Sequence, residues 1–467
     1  MTRSDAPAER RALPSGPELP EGFTFGVATS SYQIEGAVDV DGRGPSIWDT
    51  FSHTPGAVVG GDTGDVACDH YHRLEEDLDL LAWLGVDAYR FSIAWPRVLP
   101  DGDRIEPRGL AFYDRLVDGL LARGITPFAT LYHWDLPQAL EDRGGWADRA
   151  VVDAFVRYAE VVGAHLGDRV RDWTTLNEPW CAGFLGYDAG VHAPGRRDPA
   201  AAIAANHHLL LAHGHAIPAL RRVVDDARLG IVLNLAPISP LSDDPADRAA
   251  ATLADGLRNR VWSQPLTGAG YPDDVLERWA PLTDLDALHR DGDLRAIAAP
   301  LDLLGLNYYN RVHVGDRANG HDGSTPAGPG QDHVAEVPGP PPSSAMGWSI
   351  DPTGLDDQLR RLADEFPGLP LYVTENGGAF PDVVGEDGTV DDRDRLDYLD
   401  GHLRACARAI ADGVPLAGYF AWSLMDNFEW AEGYACRFGL VHVDFDTQVR
   451  TPKTSAYWYR QLLAQHG

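Results

Sequence analysis

Residues Thr126–Glu178 read TPFATLYHWDLPQALEDRGGWADRAVVDAFVRYAEVVGAHLGDRVRDWTTLNE. It begins with a β-rich run over Thr126–His133, continues with apolar residues at helical spacing over Val151–Leu166, and ends with a second β-rich run over Trp173–Glu178. Two strands joined by a helix of this length run parallel, because antiparallel neighbours need only a short turn. The stretch therefore predicts one β-α-β unit whose strands end in polar residues.

The same alternation extends along the whole chain. Six further β-rich runs are found at Phe23–Thr29, Asp87–Ile93, Leu229–Leu235, Leu301–Tyr309, Leu371–Glu375 and Leu416–Leu424. Helical spacing recurs at Glu75–Leu84, Ala111–Arg123 and His207–Val224. Eight strands with crossover helices indicate either an open doubly wound sheet or a closed barrel.

The length and the motifs favour the barrel. No GxGxxG follows the first β-rich run, as a dinucleotide-binding open sheet would be expected to show, and no linker-like composition break interrupts the chain. Eight units in 467 residues give about 58 residues each, well above the roughly 30 of a minimal barrel of about 250 residues. We therefore predict an α/β protein made of a single (β/α)8 TIM barrel with enlarged βα loops.

Two segments stand apart from this repeat. Residues 1–18 are polar and proline-rich, so we predict a disordered N-terminal tail there and a catalytic barrel over residues 19–467. The segment Val314–Met346 is crowded with Gly, Pro, Ser and Asp directly after the sixth β-rich run. It is either a loop over the mouth of the barrel or a disordered insertion, and the sequence leaves both open.

The composition excludes several classes of partner. The chain carries 39 Lys and Arg against 70 Asp and Glu, a formal net charge of −31. Such a charge repels phosphate backbones and anionic lipids, so we expect neither a nucleic acid nor a membrane as partner. The hydrophobic fraction of 44% excludes disorder of the whole chain.

The cysteines and the N-terminal residues indicate a reducing compartment. The four cysteines, Cys68, Cys181, Cys406 and Cys436, are scattered without a CxxC pair, which favours neither a disulfide framework nor a zinc site. The first 21 residues lack the apolar segment of a secretory signal, and no apolar run reaches about 18 residues. We therefore expect a cytoplasmic protein.

Polar and aromatic side chains follow the predicted strands, where a barrel would gather them at one mouth. They are Gln33, Arg90, Trp95, His133, Trp134, Asn177, Glu178, Asn234, Asn307, Tyr309, Glu375, Asn376, Trp422, Glu429 and Trp430. Amides and carboxylates can hydrogen-bond sugar hydroxyls, while indole rings stack on the C–H faces of a sugar. The mouth is therefore predicted to bind a carbohydrate.

Two of these carboxylates form a candidate catalytic pair. Glu178 and Glu375 lie 197 residues apart, a little over three units, which places them on the fourth and seventh strands. Glycoside hydrolysis requires a facing pair, in which one carboxylic acid protonates the leaving oxygen and one carboxylate attacks the anomeric carbon. A structural ion pair would explain one glutamate, but it accounts poorly for both standing among amides and aromatic rings.

Seven ordered motifs resemble glycoside hydrolase family 1, the β-glycosidases, over Phe23–Tyr459. They are Phe23–Gly36, Tyr89–Arg97, Tyr132–Pro137, Asn177–Pro179, Asn307–Tyr309, Tyr372–Gly377 and Trp422–Trp430. The resemblance implies that Glu178 is the acid/base and Glu375 the nucleophile of a retaining reaction. Retention implies carboxyl groups about 5–5.5 Å apart.

The resemblance also implies roles for the remaining candidates, and their chemistry allows each one. The residues expected to bind the substrate are Gln33, His133, Trp134, Asn177, Asn307, Tyr309, Trp422, Glu429 and Trp430, with Trp348 as a platform for the leaving group. Arg90 and Tyr309 would favour the ionised form of Glu375, with Asn307 supporting them. We expect no metal and no organic cofactor.

The expected activity is that of an exo-β-glycosidase that releases terminal β-D-glucose, with secondary β-galactosyl and β-fucosyl activity. Its substrates would be small β-glucosides and cello-oligosaccharides, as in cellulose degradation. Glu429 argues against 6-phosphosugars, because it would repel a phosphate, and Glu178 argues against the thioglucosidases of the family, which lack this carboxylate. A mainly transglycosylating enzyme and a non-catalytic sugar-binding barrel are the alternatives, and oligomeric state cannot be inferred.

Overall fold

A computed structural model describes residues 13–466. Its central feature is a closed barrel of eight parallel strands, which we number β1 to β8. They are β1 Thr24–Ala28, β2 Ala88–Ser92, β3 Thr126–Tyr132, β4 Asp172–Asn177, β5 Arg228–Asn234, β6 Leu303–Asn307, β7 Leu371–Asn376 and β8 Leu416–Trp422. Each strand pairs with the next one along the chain, and β8 pairs with β1. The prediction of a (β/α)8 barrel is confirmed, and every predicted β-rich run contributes one strand.

Helices surround the barrel. The longer ones are Leu74–Leu84, Pro107–Ala122, Ala150–Leu166, Pro199–Val223, Pro245–Asp255, Pro352–Glu365, Arg393–Ala411 and Thr454–His466. Shorter ones lie in the connections at Ser31–Ile34, Ile47–Ser52, Trp95–Val98, Gln138–Glu141, Val261–Thr267, Asp273–Trp279, Leu285–Leu288 and Asp293–Ile297. Most of these short helices enlarge the loops between strands and helices, as predicted.

Local sequence explains where the long helices begin and which face they bury. The helix Pro199–Val223 begins with proline at its first position, and the Asp198 carboxylate accepts hydrogen bonds from the backbone N–H groups of Ala200 and Ala201. Its start lies eight residues before the predicted one, because an alanine-rich first turn carries no apolar periodicity. In the helix Ala150–Leu166, Phe155, Tyr158 and Val162 are buried on one face at the spacing of successive turns.

The lower part of the barrel interior is filled with aromatic rings. Phe128 on β3 packs against Phe420 on β8 with ring centroids 5.2 Å apart, and against Tyr372 on β7 at 5.8 Å. Such packing closes the barrel below, so a ligand can enter only at the carboxyl ends of the strands. The polar residues predicted to line a mouth lie at those ends.

The segment Val314–Met346 is ordered, so the reading of it as a disordered insertion is wrong. The strands Val312–Asp316 and Val334–Val337 pair antiparallel, and Ile238–Pro240 completes a three-stranded sheet. Backbone pairing holds the segment despite its Gly and Pro content. Residues from it line the cavity at the carboxyl ends of the strands, which confirms the alternative of a loop over the mouth.

Other predictions concern the termini, the membrane and metals. Residues 1–12 of the predicted tail lie outside the described residues. Within residues 13–18, the Pro14 carbonyl accepts a hydrogen bond from Trp458 and the Ser15 carbonyl from Arg404, so these residues lie against two C-terminal helices.

Among the described residues, no helix is long and apolar enough to span a membrane and no His, Cys, Asp and Glu cluster could hold a metal ion.

Candidate active site

A cavity of about 310 Å³ lies at the carboxyl ends of the barrel strands. Nine of the thirteen residues predicted to act in catalysis or binding line it, namely His133, Trp134, Glu178, Tyr309, Trp348, Glu375, Trp422, Glu429 and Trp430. The other four, Gln33, Arg90, Asn177 and Asn307, lie directly behind them and are hydrogen-bonded to lining residues. The thirteen residues given a catalytic or binding role therefore come together at one site, and Asn234 also lines the cavity. Two other residues predicted at the mouth do not line it: Trp95 stacks on Tyr158, and Asn376 is hydrogen-bonded to Tyr308, Tyr398 and Tyr419.

Glu375, at the end of β7, is held by a cation and a phenol. Arg90 donates a hydrogen bond of 2.7 Å to Oε1, and Tyr309 donates one of 2.7 Å to Oε2. Burial raises the pKa of the Glu375 carboxyl to about 7, with the charge of Glu178 adding to the rise and Arg90 and Tyr309 opposing it. The two donors favour the ionised carboxylate, as predicted, but burial has the larger effect.

Glu178 follows β4 and has a left-handed backbone conformation, with a φ of 46°. Such conformations in residues other than glycine are uncommon, and they cluster at functional sites. Asn307 donates a hydrogen bond of 2.6 Å to its Oε1, and the Cys181 thiol donates one of 3.0 Å to its Oε2. Asn307 was expected to support Arg90 and Tyr309. It shares the acceptor Asn177 Oδ1 with Arg90, but its direct contact with a catalytic carboxylate is with Glu178.

Asn177 connects the two carboxylates. Its Oδ1 accepts hydrogen bonds from Arg90 at 2.6 Å and from Asn307 at 3.0 Å, which fixes the orientation of the amide. One hydrogen of Nδ2 is directed at His133 Nε2, 3.0 Å away. Burial, followed by the charge of Arg90, lowers the pKa of His133 well below its usual value, so the ring is neutral and Nε2 can accept this bond. The second Nδ2 hydrogen is left for a ligand.

Glu429 and Gln33 lie on the β1 and β8 side of the cavity. Gln33 is fixed by donating to the Phe428 carbonyl at 2.8 Å and to Asn427 at 2.9 Å, and it approaches Glu429 at 3.5 Å. Burial raises the pKa of Glu429 to about 8, with the charges of Glu375 and Glu178 contributing. Its two oxygens face the cavity with few protein donors, as a receptor for two hydroxyl groups requires.

Aromatic rings form much of the remaining wall. Trp134 packs against Trp430 with centroids 4.6 Å apart, and both have a positive φ. Trp422 stacks near His133 at 5.9 Å. Trp348 lies 5.4 Å from the ring of Tyr309. Flat apolar faces beside fixed polar groups are the combination that carbohydrate binding needs.

The family model described as "Glycosyl hydrolase family 1" matches residues 16–467. The chain belongs to glycosyl hydrolase family 1. The barrel topology and the site geometry described above agree with this assignment, and the resemblance inferred from the seven sequence motifs is confirmed.

Relatives within family 1 carry specific descriptions. The chain is 48% identical to "Beta-glucosidase A" of Thermotoga maritima, over 96% of this chain and 98% of the relative. It is 49% identical to a "Bifunctional beta-D-glucosidase/beta-D-fucosidase" of Bifidobacterium breve, over 96% and 99%. The structure of the β-glucosidase from Thermotoga maritima in complex with glucoimidazole superimposes with a TM-score of 0.90 at 47% identity, over 96% of this chain and 99% of that one.

Among the lining residues of this family 1 site that were not predicted from the sequence are Trp180, Cys181, Arg258 and Glu336. Trp180 and Cys181 lie directly after Glu178, at the start of a π-helical segment, Cys181–Ala189. Arg258 belongs to a second π-helical segment, Gly256–Arg260. Such segments are frequent at functional sites, but no sequence pattern marks them. Only the closeness of Trp180 and Cys181 to Glu178 offered a signal.

Proposed function

We propose that the chain is a retaining exo-β-glucosidase in which Glu375 is the nucleophile and Glu178 the acid/base. The observation that carries this assignment is the unequal environment of the two carboxylates in one cavity. Glu375 contacts a guanidinium and a phenol, which favour its ionised form, whereas Glu178 contacts an amide and a thiol, which are neutral. Retaining hydrolysis needs one carboxylate that attacks and one that exchanges a proton.

In the first step, Glu375 attacks the anomeric carbon while protonated Glu178 gives its proton to the departing oxygen. The bond to the leaving group breaks as the bond from Glu375 to the sugar forms, which gives a covalent glycosyl-enzyme. The negative charge of Glu375 is consumed in this bond, and Glu178, which has given up its proton, is left as a carboxylate.

In the second step, ionised Glu178 takes a proton from a water molecule, and the oxygen of that water attacks the anomeric carbon. Glu375 leaves as a carboxylate, which Arg90 and Tyr309 stabilise through their two hydrogen bonds. Two displacements restore the original configuration of the sugar. Glu178 ends protonated and ready for the next cycle.

The terminal sugar would bind among the fixed polar groups on the β1, β3, β4 and β8 side. Asn177 has one amide hydrogen available for the 2-hydroxyl, a contact expected to strengthen in the transition state. Glu429 can accept from two hydroxyl groups, such as O4 and O6 of a hexose. Trp422 and Trp430 supply apolar faces for the ring. We infer a preference for β-D-glucose, with β-galactose and β-fucose as secondary sugars. The description of the Bifidobacterium breve relative supports β-glucose and β-fucose.

Two alanine variants with azide test the assignment. Glu375→Ala should lose activity on 4-nitrophenyl β-glucoside, and azide should restore it with α-glucosyl azide as the product. Glu178→Ala should lose about 10²–10⁴-fold on poor leaving groups, and azide should give β-glucosyl azide. NMR distinguishes the two products, and Glu386→Gln, at an exposed position, is the control. Full activity of either alanine variant would reject the proposal.

We also infer that the enzyme works in the cytoplasm on small β-glucosides and cello-oligosaccharides released from cellulose. All four cysteines are free, three of them buried, which fits a reducing compartment. Cell fractionation followed by an assay of cellobiose hydrolysis tests both parts, and activity confined to the culture medium would contradict the location.

A further inference from the structure

Three charged side chains in the cavity are not used by the mechanism above, namely Arg258, Glu336 and Glu432, and the first two lie on the leaving-group side. Arg258 is the one Lys or Arg among the described lining residues, which also include five glutamates. Glu336 comes from the strand Val334–Val337, in the segment that lies over the mouth. Buried charges are normally paired or hydrogen-bonded, because leaving them unpaired costs free energy. The two residues therefore need a chemical explanation.

The contacts of Arg258 place it beside the acid/base. Its guanidinium lies 3.7 Å from the centre of the Trp180 ring, and Trp180 is two residues after Glu178. One of its amino groups donates to Asn234, at the end of β5. Since β5 neighbours β4, Arg258 lies beside Glu178, and Glu429 and Gln33 lie across the barrel. Arg258 is therefore on the side where Glu178 meets the oxygen of the leaving group.

Arg258 keeps donors that no described residue accepts from. Its Nε is buried without a hydrogen-bond partner among the described residues. No described carboxylate lies within the 4.0 Å that defines an ion pair with it. Burial lowers the pKa of Arg258, while the negative charges of Glu178 and Glu336 oppose that effect. A guanidinium remains charged in proteins. Only one amino group donates to Asn234 and the residue lines the cavity, so the other amino group can donate to a ligand there.

Glu336 supplies the complementary group. Burial raises the pKa of the Glu336 carboxyl, and the positive charge of Arg258 opposes the rise. The two groups therefore interact electrostatically, although they lie too far apart to form an ion pair. The guanidinium can only donate hydrogen bonds, and the carboxylate can only accept them. A hydroxyl group between them can accept from Arg258 and donate to Glu336 at the same time.

We propose that Arg258 and Glu336 bind a hydroxyl group of a sugar leaving group and so make β-glucosyl disaccharides and oligosaccharides better substrates than aryl glucosides. This inference rests on the proposed function. An aryl leaving group can contact Trp348 but offers no hydroxyl to the pair. An anionic leaving group would satisfy Arg258 but would meet Glu336 and the other carboxylates of the cavity.

Two single variants and the double variant test the pair. Arg258→Met and Glu336→Gln should each lower kcat/KM for cellobiose about 10- to 100-fold, the effect of losing a hydrogen bond to a charged group. The kcat/KM for 4-nitrophenyl β-glucoside should change by less than about threefold. In the double variant the cellobiose losses should be less than additive, because one hydroxyl joins both side chains. Arg222→Met and Glu386→Gln, at exposed positions, are the matched controls.

The two substrates separate the possible outcomes. Equal losses on both substrates would mean that Arg258 and Glu336 merely hold the site in shape, and no loss on either would mean that they do not bind the leaving group; both results overturn the proposal. A selective loss on 4-carboxyphenyl β-glucoside, with cellobiose unchanged, would overturn it in favour of an anionic leaving group. If the unmodified enzyme does not hydrolyse 4-nitrophenyl β-glucoside, the proposed function fails as well. Glu336→Gln is nearly isosteric, so it keeps the test valid should Arg258→Met fold poorly.

Discussion

The thiol of Cys181 lies 3.0 Å from Oε2 of Glu178, inside the cavity. Asn307 occupies the other oxygen, so every described side-chain hydrogen bond of this carboxyl comes from a neutral group. A thiol can donate to a carboxylate and can also accept weakly from a carboxylic acid. Cys181 is therefore compatible with both protonation states that the acid/base passes through.

Replacement of Cys181 should affect substrates that depend on proton donation. We expect Cys181→Ala to lower kcat/KM for cellobiose by about 3- to 10-fold, because a weak hydrogen bond to Glu178 is lost. 2,4-Dinitrophenyl β-glucoside should change much less, since its leaving group needs little protonation. Cys406→Ala, a buried thiol outside the cavity, is the control. An equal loss on both substrates would indicate a packing effect instead.

The hydrogen bond from Tyr309 to Glu375 should be visible in the pH profile. Glu375 must be ionised to attack, and its pKa is raised to about 7 while Tyr309 pulls it down. Tyr309→Phe removes that hydrogen bond, so the pKa rises further and more Glu375 is protonated at a given pH. The acidic limb of kcat/KM should then move to higher pH by about one pH unit. Tyr457→Phe, on the surface, should leave the limb in place, and a shift to lower pH in Tyr309→Phe would contradict the assignment.

Periodic patterns in the sequence were sufficient to predict the barrel and the residues that lie at the ends of its strands. The alternation of β-rich and helical runs is a local property, so β4 and its polar end at Asn177 and Glu178 could be predicted from the stretch Thr126–Glu178 alone. Parallel strands bring their carboxyl ends to one mouth, which extends that reasoning to Glu375.

Arg258 and Glu336 could not be predicted in this way. Arg258 reaches the cavity because a π-helical segment turns its side chain inward, and Glu336 reaches it through the antiparallel pairing of Val312–Asp316 with Val334–Val337. Both arrangements depend on long-range packing, which leaves no periodic signal. The direct contact of Asn307 with Glu178 likewise depends on the direction in which its side chain projects, which the sequence pattern does not specify.

Glu429 should discriminate sugars by their hydroxyl groups. If it accepts from O4 and O6, Glu429→Gln should lower kcat/KM for 4-nitrophenyl β-glucoside about 10- to 100-fold, because one of the two acceptor oxygens is replaced by an amide nitrogen that cannot accept. The 6-deoxyglucoside offers only one of these hydroxyls, so the variant should lose less kcat/KM on this substrate than on the glucoside. The ratio of kcat/KM for the glucoside to kcat/KM for the 6-deoxyglucoside should therefore move towards one. An unchanged ratio, with Glu386→Gln as reference, would place O6 elsewhere.

Lys453 is the one lysine of the chain and lies in a buried ion cluster. Its Nζ is 2.5 Å from Asp382 and 2.6 Å from Asp426, and Arg395 also contacts Asp382 at 2.7 Å. Lys453→Met would leave part of the carboxylate charge buried without a partner, which costs about 3–5 kcal/mol.

We expect that loss to lower the Tm of Lys453→Met by on the order of 5 °C, measured by differential scanning calorimetry. The exposed ion pair of Arg222 offers the comparison, since Arg222→Met should change the Tm by about a degree or less. The cluster includes Asp426, which lies in the chain between the cavity residues Trp422 and Glu429. Because loss of the lysine should disturb this segment, Lys453→Met should also lose activity at temperatures below its Tm. Unchanged stability in Lys453→Met would mean that the remaining cations, or water admitted to the cluster, compensate both carboxylates.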